Sequence, residues 1–132
     1  MAIDYTVTVE DVMASPIETI SADASVSEAA HAMREHGINS LLVPGSDMGI
    51  VTSTDVLDTV AAGHSATDTA VSEVMTAPVE SVTADLEMDE VAAMMTTYGI
   101  SHLPVRDHHG DYVGMVSSTD IHELMADTTV GQ

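Results

Sequence analysis

One half of this sequence repeats the other. Val9–Val43 aligns with Val71–Val105 without a gap, and Gly49–Ala61 aligns with Gly114–Ala126; 20 of the 48 paired positions are identical. The identities include Val12/Val74, Met13/Met75, Pro16/Pro78, Asp23/Asp85, Glu28/Glu90, Met33/Met95, Gly37/Gly99, Ile38/Ile100 and Asp55/Asp120. The one change in length is a three-residue insertion between Val105 and Gly114. Two copies are too few for a solenoid, which needs a longer stack. The duplication predicts two domains, 1–66 and 67–132, packed about a pseudo-twofold axis and joined by the small polar stretch Gly63–Ala70.

Local signals give the order of elements within a copy. Thr8 can N-cap a short helix over Val9–Met13, and Pro16 ends it before a strand near Ile17–Ile20. Ser25 and Glu28 fit the S-x-x-E capping box. The helix behind them carries Ala29, Ala32 and Met33 on one face and stops at Gly37, a good C′ residue. Ile38–Val43 reads as a strand, Pro44-Gly45-Ser46-Asp47 as a turn, Gly49–Val51 as the return strand and Thr52–Ala62 as the closing helix. In the second copy, Glu87–Thr97 is the helix, Ile100–Val105 and Asp111–Val116 the strand pair, and Asp107-His108-His109-Gly110 the turn. The expected fold class is α/β (α+β), with two tandem β-α-β-β-α units.

Charge narrows the environment. Twenty-two acidic residues face two basic ones, Arg34 and Arg106, with no lysine, for a net charge of −20 on 132 residues. So dense a charge repels itself strongly at low ionic strength. Molar salt relieves this, because the Debye length falls to about 3 Å at 1 M. The composition resembles that of proteins from salt-accumulating halophiles, archaeal ones above all. Nucleic-acid binding, which needs clustered Lys or Arg, is not expected. No apolar run approaches a membrane span, and Met1–Glu10 has neither the basic region nor the apolar core of a secretion signal, so a cytoplasmic location is expected. The absence of cysteine excludes disulfides and thiolate metal sites.

The chemistry concentrates where a strand turns into a helix, at Gly49-Ile50-Val51-Thr52-Ser53-Thr54-Asp55 and at Gly114-Met115-Val116-Ser117-Ser118-Thr119-Asp120. Two readings stand side by side. Thr52 and Ser117 are N-caps, with Asp55 and Asp120 at N3 reaching back to the cap, a purely structural role worth roughly 1 kcal/mol. Equally, helix N–H groups and a hydroxyl suit a phosphate, and a carboxylate suits a ribose diol.

Val71-Ser72-Glu73-Val74-Met75, Pro78, the helix ending in Tyr98-Gly99-Ile100, Leu103-Pro104-Val105, Gly114-Met115-Val116-Ser117 and Asp120 together resemble a CBS domain, the cystathionine-β-synthase-type repeat. The first copy matches over the same span but has Leu42 where the family usually has proline, and a shorter hairpin. The resemblance covers nearly the whole chain. It implies a stand-alone CBS pair that dimerises with a second copy, binds an adenosyl ligand in clefts between the repeats and regulates a protein partner not named by the sequence. It assigns ribose or phosphate contacts to Thr52, Asp55, Ser117 and Asp120. The adenine end falls to Ile38, Asn39, Ser40, Ile100, Ser101 and His102, with apolar contacts from Pro16, Ile17, Pro78 and Val79.

His102 stands where relatives place a basic side chain against a phosphate, a role open to it when protonated, while a neutral histidine satisfied by a backbone carbonyl explains it equally well; its counterpart Ser40 has no such capacity, so the two clefts are not expected to be equivalent. With cations so scarce, ATP would lean on Mg²⁺, ADP and AMP ask for less, and the sulfonium of S-adenosylmethionine suits an acidic cleft. No resident cofactor is expected beyond such a regulatory ligand. No metal site is expected either: adjacent His108 and His109 on a turn rarely converge on one ion, and His31 with Glu35 reads as a solvated i, i+4 pair. The methionines read as flexible core filler. No nucleophile–base set, P-loop or zinc-protease helix occurs, so an enzyme is not expected. The competing function is an oligomerisation or docking module with empty clefts.

Overall fold

In a computed structural model of the chain, the described residues are 7–15 and 17–130, with side chains up to Leu124. In chain order the elements are α1 (Val9–Val12), α2 (Val26–His36), β1 (Ser40–Val43), β2 (Gly49–Thr52), α3 (Ser53–Ala61), α4 (Val71–Val74), β3 (Val82–Thr83), α5 (Met88–Tyr98), β4 (His102–Arg106), β5 (Tyr112–Ser117) and α6 (Ser118–Val130). This is the expected mixed α/β class, with the same unit twice.

The chain forms two compact units, and they do not coincide with the two repeats. One unit is Glu18–Val79; the other joins the segment up to Ile17 to Glu80 onward. The short first helix of each repeat has therefore changed sides. In the unit built on the second repeat, the N–H groups of Val9 and Glu10 donate to Leu86 O (2.9 Å) and Ala84 O (3.1 Å). Val9 is fully buried there with Val82, Met88, Val91, Met95, Leu103, Val105 and Val116. In the unit built on the first repeat, Val71 and Ser72 donate to Ala24 O (2.8 Å) and Ala22 O (3.0 Å). Val71 packs with Ala29, Met33, Leu41, Val43 and Val51. Burying a valine side chain contributes about 1.5–3 kcal/mol, so each exchanged helix is pinned by its first residue.

Each exchanged segment then adds a rung to the hairpin it meets. Ala14 and Met115 trade backbone bonds of 2.8 and 2.9 Å, and Thr76 and Ile50 trade two of 2.9 Å. The repeated glycines permit this approach. A Cβ on Gly114 would stand 2.9 Å from Ala14 O, and one on Gly49 would stand 3.2 Å from Thr76 O.

The hairpins are in simple register, Ser40 opposite Thr52 through Val43 opposite Gly49, and His102 opposite Ser117 through Val105 opposite Gly114. The second hairpin then slips between Val105 and Arg106, at the inserted residues. The helices before them end as the glycines predict. Gly37 and Gly99 adopt φ of 65°, and Ile38 and Ile100 donate to Met33 O (2.9 Å) and Met95 O (3.0 Å), which satisfies the last turn.

The strand expected at Ile17–Ile20 is not formed. It is reduced to a single parallel bridge, Thr19 to Leu42, because Ser21 turns the chain away: Ala24 N–H reaches Ser21 O at 3.1 Å and Asp23 N–H reaches Ser21 Oγ at 3.1 Å. In the second repeat the equivalent is the two-residue β3, parallel to β4. The strands expected from Ile38 and Ile100 start instead at Ser40 and His102, since the N–H groups of Ile38 and Ile100 close the preceding helix and the carbonyls of Asn39 and Ser101 accept from Ser53 and Ser118.

Candidate functional site

Each unit ends its hairpin in the same corner. In the first, the Thr52 N–H donates to Asp55 Oδ2 at 2.8 Å, and Thr52 Oγ1 donates to the same oxygen at 3.2 Å. Ser53 N–H is held by Asn39 O at 2.9 Å, which ties the start of α3 to the residue before β1. In the second, Ser117 N–H and Oγ donate to Asp120 Oδ2 at 2.8 and 3.2 Å, and Ser118 N–H is held by Ser101 O at 2.9 Å. The capping geometry anticipated for these residues is thus present in both. It uses one carboxylate oxygen, Oδ2, in each case, and leaves Oδ1 to accept from another donor.

The structure gathers the expected residues in part. Ile38, Asn39, Ser40, Thr52 and Asp55 meet at the first corner, and Ile100, Ser101, His102, Ser117 and Asp120 at the second. Val79 donates to Met48 O at 2.8 Å, which places Pro78 and Val79 at the far end of β2 from Thr52. Ile17 is half-buried in the other unit, and Pro16 lies outside the described residues.

Two cavities adjoin these corners. One of about 420 Å³ opens between α2 and α3 and is lined by Ala30, Met33, Arg34, Gly37, Ile38, Asn39, Ser53, Val56 and Leu57. One of about 190 Å³ is lined by Val12, Asp120, Glu123 and Leu124. Arg34 and Glu123, neither among the residues expected at the corners, line these cavities. The spacing carried a signal for both. Ala30, Met33, Arg34 and Gly37 follow one helical face, and Glu123 is one turn beyond Asp120.

His102 is the titratable group that this environment moves. Its Nδ1 is 3.1 Å from Ser101 Oγ, and burial holds its pKa below the ordinary 6.5, with the Asp120 charge opposing. Desolvation wins, so His102 is predominantly neutral at pH 7. Of its two readings, a cation for a phosphate and a neutral imidazole, burial favours the neutral one near pH 7. Linkage gives the sign. The unfolded chain takes up this proton at higher pH than the folded one. The stability tied to His102 is thus fully present above about pH 6.5 and is lost as pH falls from there through the folded pKa. In molar KCl, thermal midpoints of the native chain should fall more steeply between pH 7.5 and 5 than those of His102→Gln; parallel curves would refute the assignment.

No helix among the described residues is long and apolar enough to cross a membrane, and no group of three or more metal-ligating side chains is found among them.

The geometry has counterparts in known proteins. The CBS domain family matches residues 9–62 and 71–127. An uncharacterised protein of Methanopyrus kandleri is 33% identical over 119 residues, 87% of this chain and 61% of its own length. A homoserine O-acetyltransferase of Methanosphaerula palustris is 33% identical over 126 residues, 93% of this chain but only 25% of that enzyme. The chain thus spans less than two thirds of the length of either relative. Among solved structures, the CBS domain pair of protein MJ0100, in complex with 5′-methylthioadenosine and S-adenosyl-L-methionine, superposes with a TM-score of 0.83. It is 32% identical, covering 93% of this chain and 98% of that one.

Proposed function

Since this chain belongs to the CBS domain family, we propose that it is a non-catalytic regulatory module that binds an adenosyl ligand at its strand-to-helix corners and thereby biases a protein partner. The observation that carries the reading is the unused Oδ1 of Asp55 and Asp120, held in place by the cap bonds to Oδ2, in a chain similar over nearly its whole length to a pair solved with adenosyl ligands. A ribose diol would donate to Oδ1 without displacing the cap.

Electrostatics favours a ligand with little negative charge. At the second corner His102 is mostly neutral at pH 7, while Asp120 and Glu123 line the adjoining cavity. A sulfonium or a neutral thioether nucleoside is accommodated there more easily than a polyphosphate, which would need Mg²⁺ and salt screening. S-adenosylmethionine and methylthioadenosine therefore rank above AMP, ADP and ATP. The net charge of −20 supports work in molar salt and an origin in a halophilic archaeon.

The test is thermal denaturation in molar KCl with each of these ligands and NAD. A ligand at about 100 Kd stabilises by about 2.7 kcal/mol, a rise on the order of 10 °C. A largest rise with ATP would refute the ranking. The cap bonds favour a second reading, because they explain Asp55 and Asp120 without any ligand. If no ligand raises the midpoint, the chain is an oligomerisation or docking module.

The assembly we propose is a homodimer through α3, whose Leu57 and Val60 are 68% and 61% exposed. Native chain should sediment as a dimer in molar KCl and Leu57→Asp as a monomer. An unchanged sedimentation coefficient in the variant would move the interface elsewhere.

A further inference from the structure

The β4–β5 hairpin has two ends with different chemistry. His102 and Ser117 face each other at the corner already described, and Arg106 pairs with Tyr112 at the tip. Four residue steps along β4 separate them, about 13 Å. The tip carries the three residues that the first repeat lacks, and it holds one of the chain's two permanent cations.

That cation is tethered to its own turn. Arg106 Nε donates to Gly110 O at 3.1 Å, and the guanidinium carbon lies 5.4 Å from the centre of the Tyr112 ring. Gly110, at φ of 87°, lets the guanidinium lie close: a Cβ there would stand 3.1 Å from Nη2. The chain has 22 carboxylates. Yet among the described residues the contact found between a basic and an acidic side chain is His36 Nε2 with Glu18 Oε1 at 3.6 Å, and Arg106 makes none. The nearest carboxylate in sequence, Asp107, is turned into the loop, where its Oδ1 accepts from His109 N–H (2.9 Å) and Asp111 N–H (3.0 Å). Those bonds, Asp111 first, hold Asp107 below the usual carboxylate range, so it is satisfied within the turn.

Beside the guanidinium is a cavity of about 290 Å³, lined by Ser81, Val82, Thr83, Arg106, Asp107, His108 and Gly110. A planar donor fork tethered at Nε, with two hydroxyl-bearing residues, Ser81 and Thr83, lining the same cavity, matches the recognition of a tetrahedral oxyanion. We propose that this hairpin-tip cavity binds a small dianion of the phosphate class, with Arg106 as its charge anchor and Ser81 and Thr83 as hydroxyl donors. The site is separate from the adenosyl corners and stands whether or not they bind a ligand. Molar salt is compatible with it, since screening removes the long-range repulsion of the acidic surface but leaves contact pairs.

The probe is inorganic phosphate, titrated into the full chain at pH 7 with ionic strength held constant by KCl and followed by ¹H–¹⁵N NMR. The Arg106 side-chain N–H and the amides of Ser81, Thr83 and Gly110 should shift and saturate. Arg106→Gln should weaken binding at least tenfold, and Thr83→Val about threefold, with the amides of Glu18–Val79 unmoved in both variants. Shifts that grow linearly without saturating, an unchanged affinity in Arg106→Gln, or shifts centred on Ser117 and Asp120 would each overturn the proposal.

Discussion

Gly114→Val is expected to destabilise the protein by about 3 kcal/mol, the upper part of the range for overpacking a closed site. The reason is the backbone. A Cβ at this position would meet the side chain of Met13, which can move, and also Ala14 O at 2.9 Å, which is held by the Met115 N–H at 2.9 Å. The new side chain can be accommodated only by lifting the exchanged segment off β5, which uncovers Val9 and the cluster behind it. Gly45→Ala is the control: its nearest neighbour would be Asp47 O at 3.5 Å, ordinary contact, so a change within about 0.5 kcal/mol is expected. Denaturant unfolding in molar KCl measures both. Hydrogen exchange adds the location, since protection should be lost in β4 and β5 and retained in β1 and β2. Should the valine variant fail to fold, Gly114→Ala carries the same regional signature more weakly. Uniform loss of protection in both hairpins would mean that α1 is not packed as described.

That exchange of helices was the part of the fold the sequence could not report. Val9 and Val71, Val12 and Val74, and Met13 and Met75 are identical pairs, so either helix suits either body by composition. Only the three-dimensional path decides which cluster each valine enters. The hairpins and long helices were legible because their signals are local: Gly37 and Gly99 stop the helices, and Thr52 and Ser117 start the next ones. The strand expected at Ile17–Ile20 failed for the converse reason. Its apolar residues fit a strand, but Ser21 makes a turn immediately afterwards, and a single bridge is all that remains. At the corners the residue types were legible and the protonation of His102 was not. A sequence does not disclose how far a histidine will be desolvated, and here burial outweighs the adjacent Asp120 charge.

Asp120→Asn separates the two roles of the corner carboxylate. Aspartate offers two acceptor oxygens, and the cap takes one of them, Oδ2. Asparagine keeps a single carbonyl oxygen, which can still accept from the Ser117 N–H, and puts an NH₂ donor where Oδ1 was. The stability of the ligand-free chain should therefore fall by no more than about 1 kcal/mol, a typical capping contribution. A ribose hydroxyl would now face a donor in place of an acceptor. The rise with S-adenosylmethionine or methylthioadenosine, on the order of 10 °C for the native chain if the ligand is at about 100 Kd, should shrink by more than half. Asp55→Asn makes the same change at the first corner, where Ser40 replaces His102, and the two variants together divide the binding between the corners. Ser117→Ala supplies the reverse test: it removes the 3.2 Å hydroxyl bond but leaves the backbone N–H to hold Asp120, so it should cost stability with less loss of ligand response. If both asparagine variants lower stability and keep the full ligand response, the two carboxylates are caps alone and the ligand binds elsewhere. If Asp120→Asn abolishes the response while Asp55→Asn leaves it intact, the second corner is the working site. The corner with the half-buried histidine would then be the one that senses the ligand.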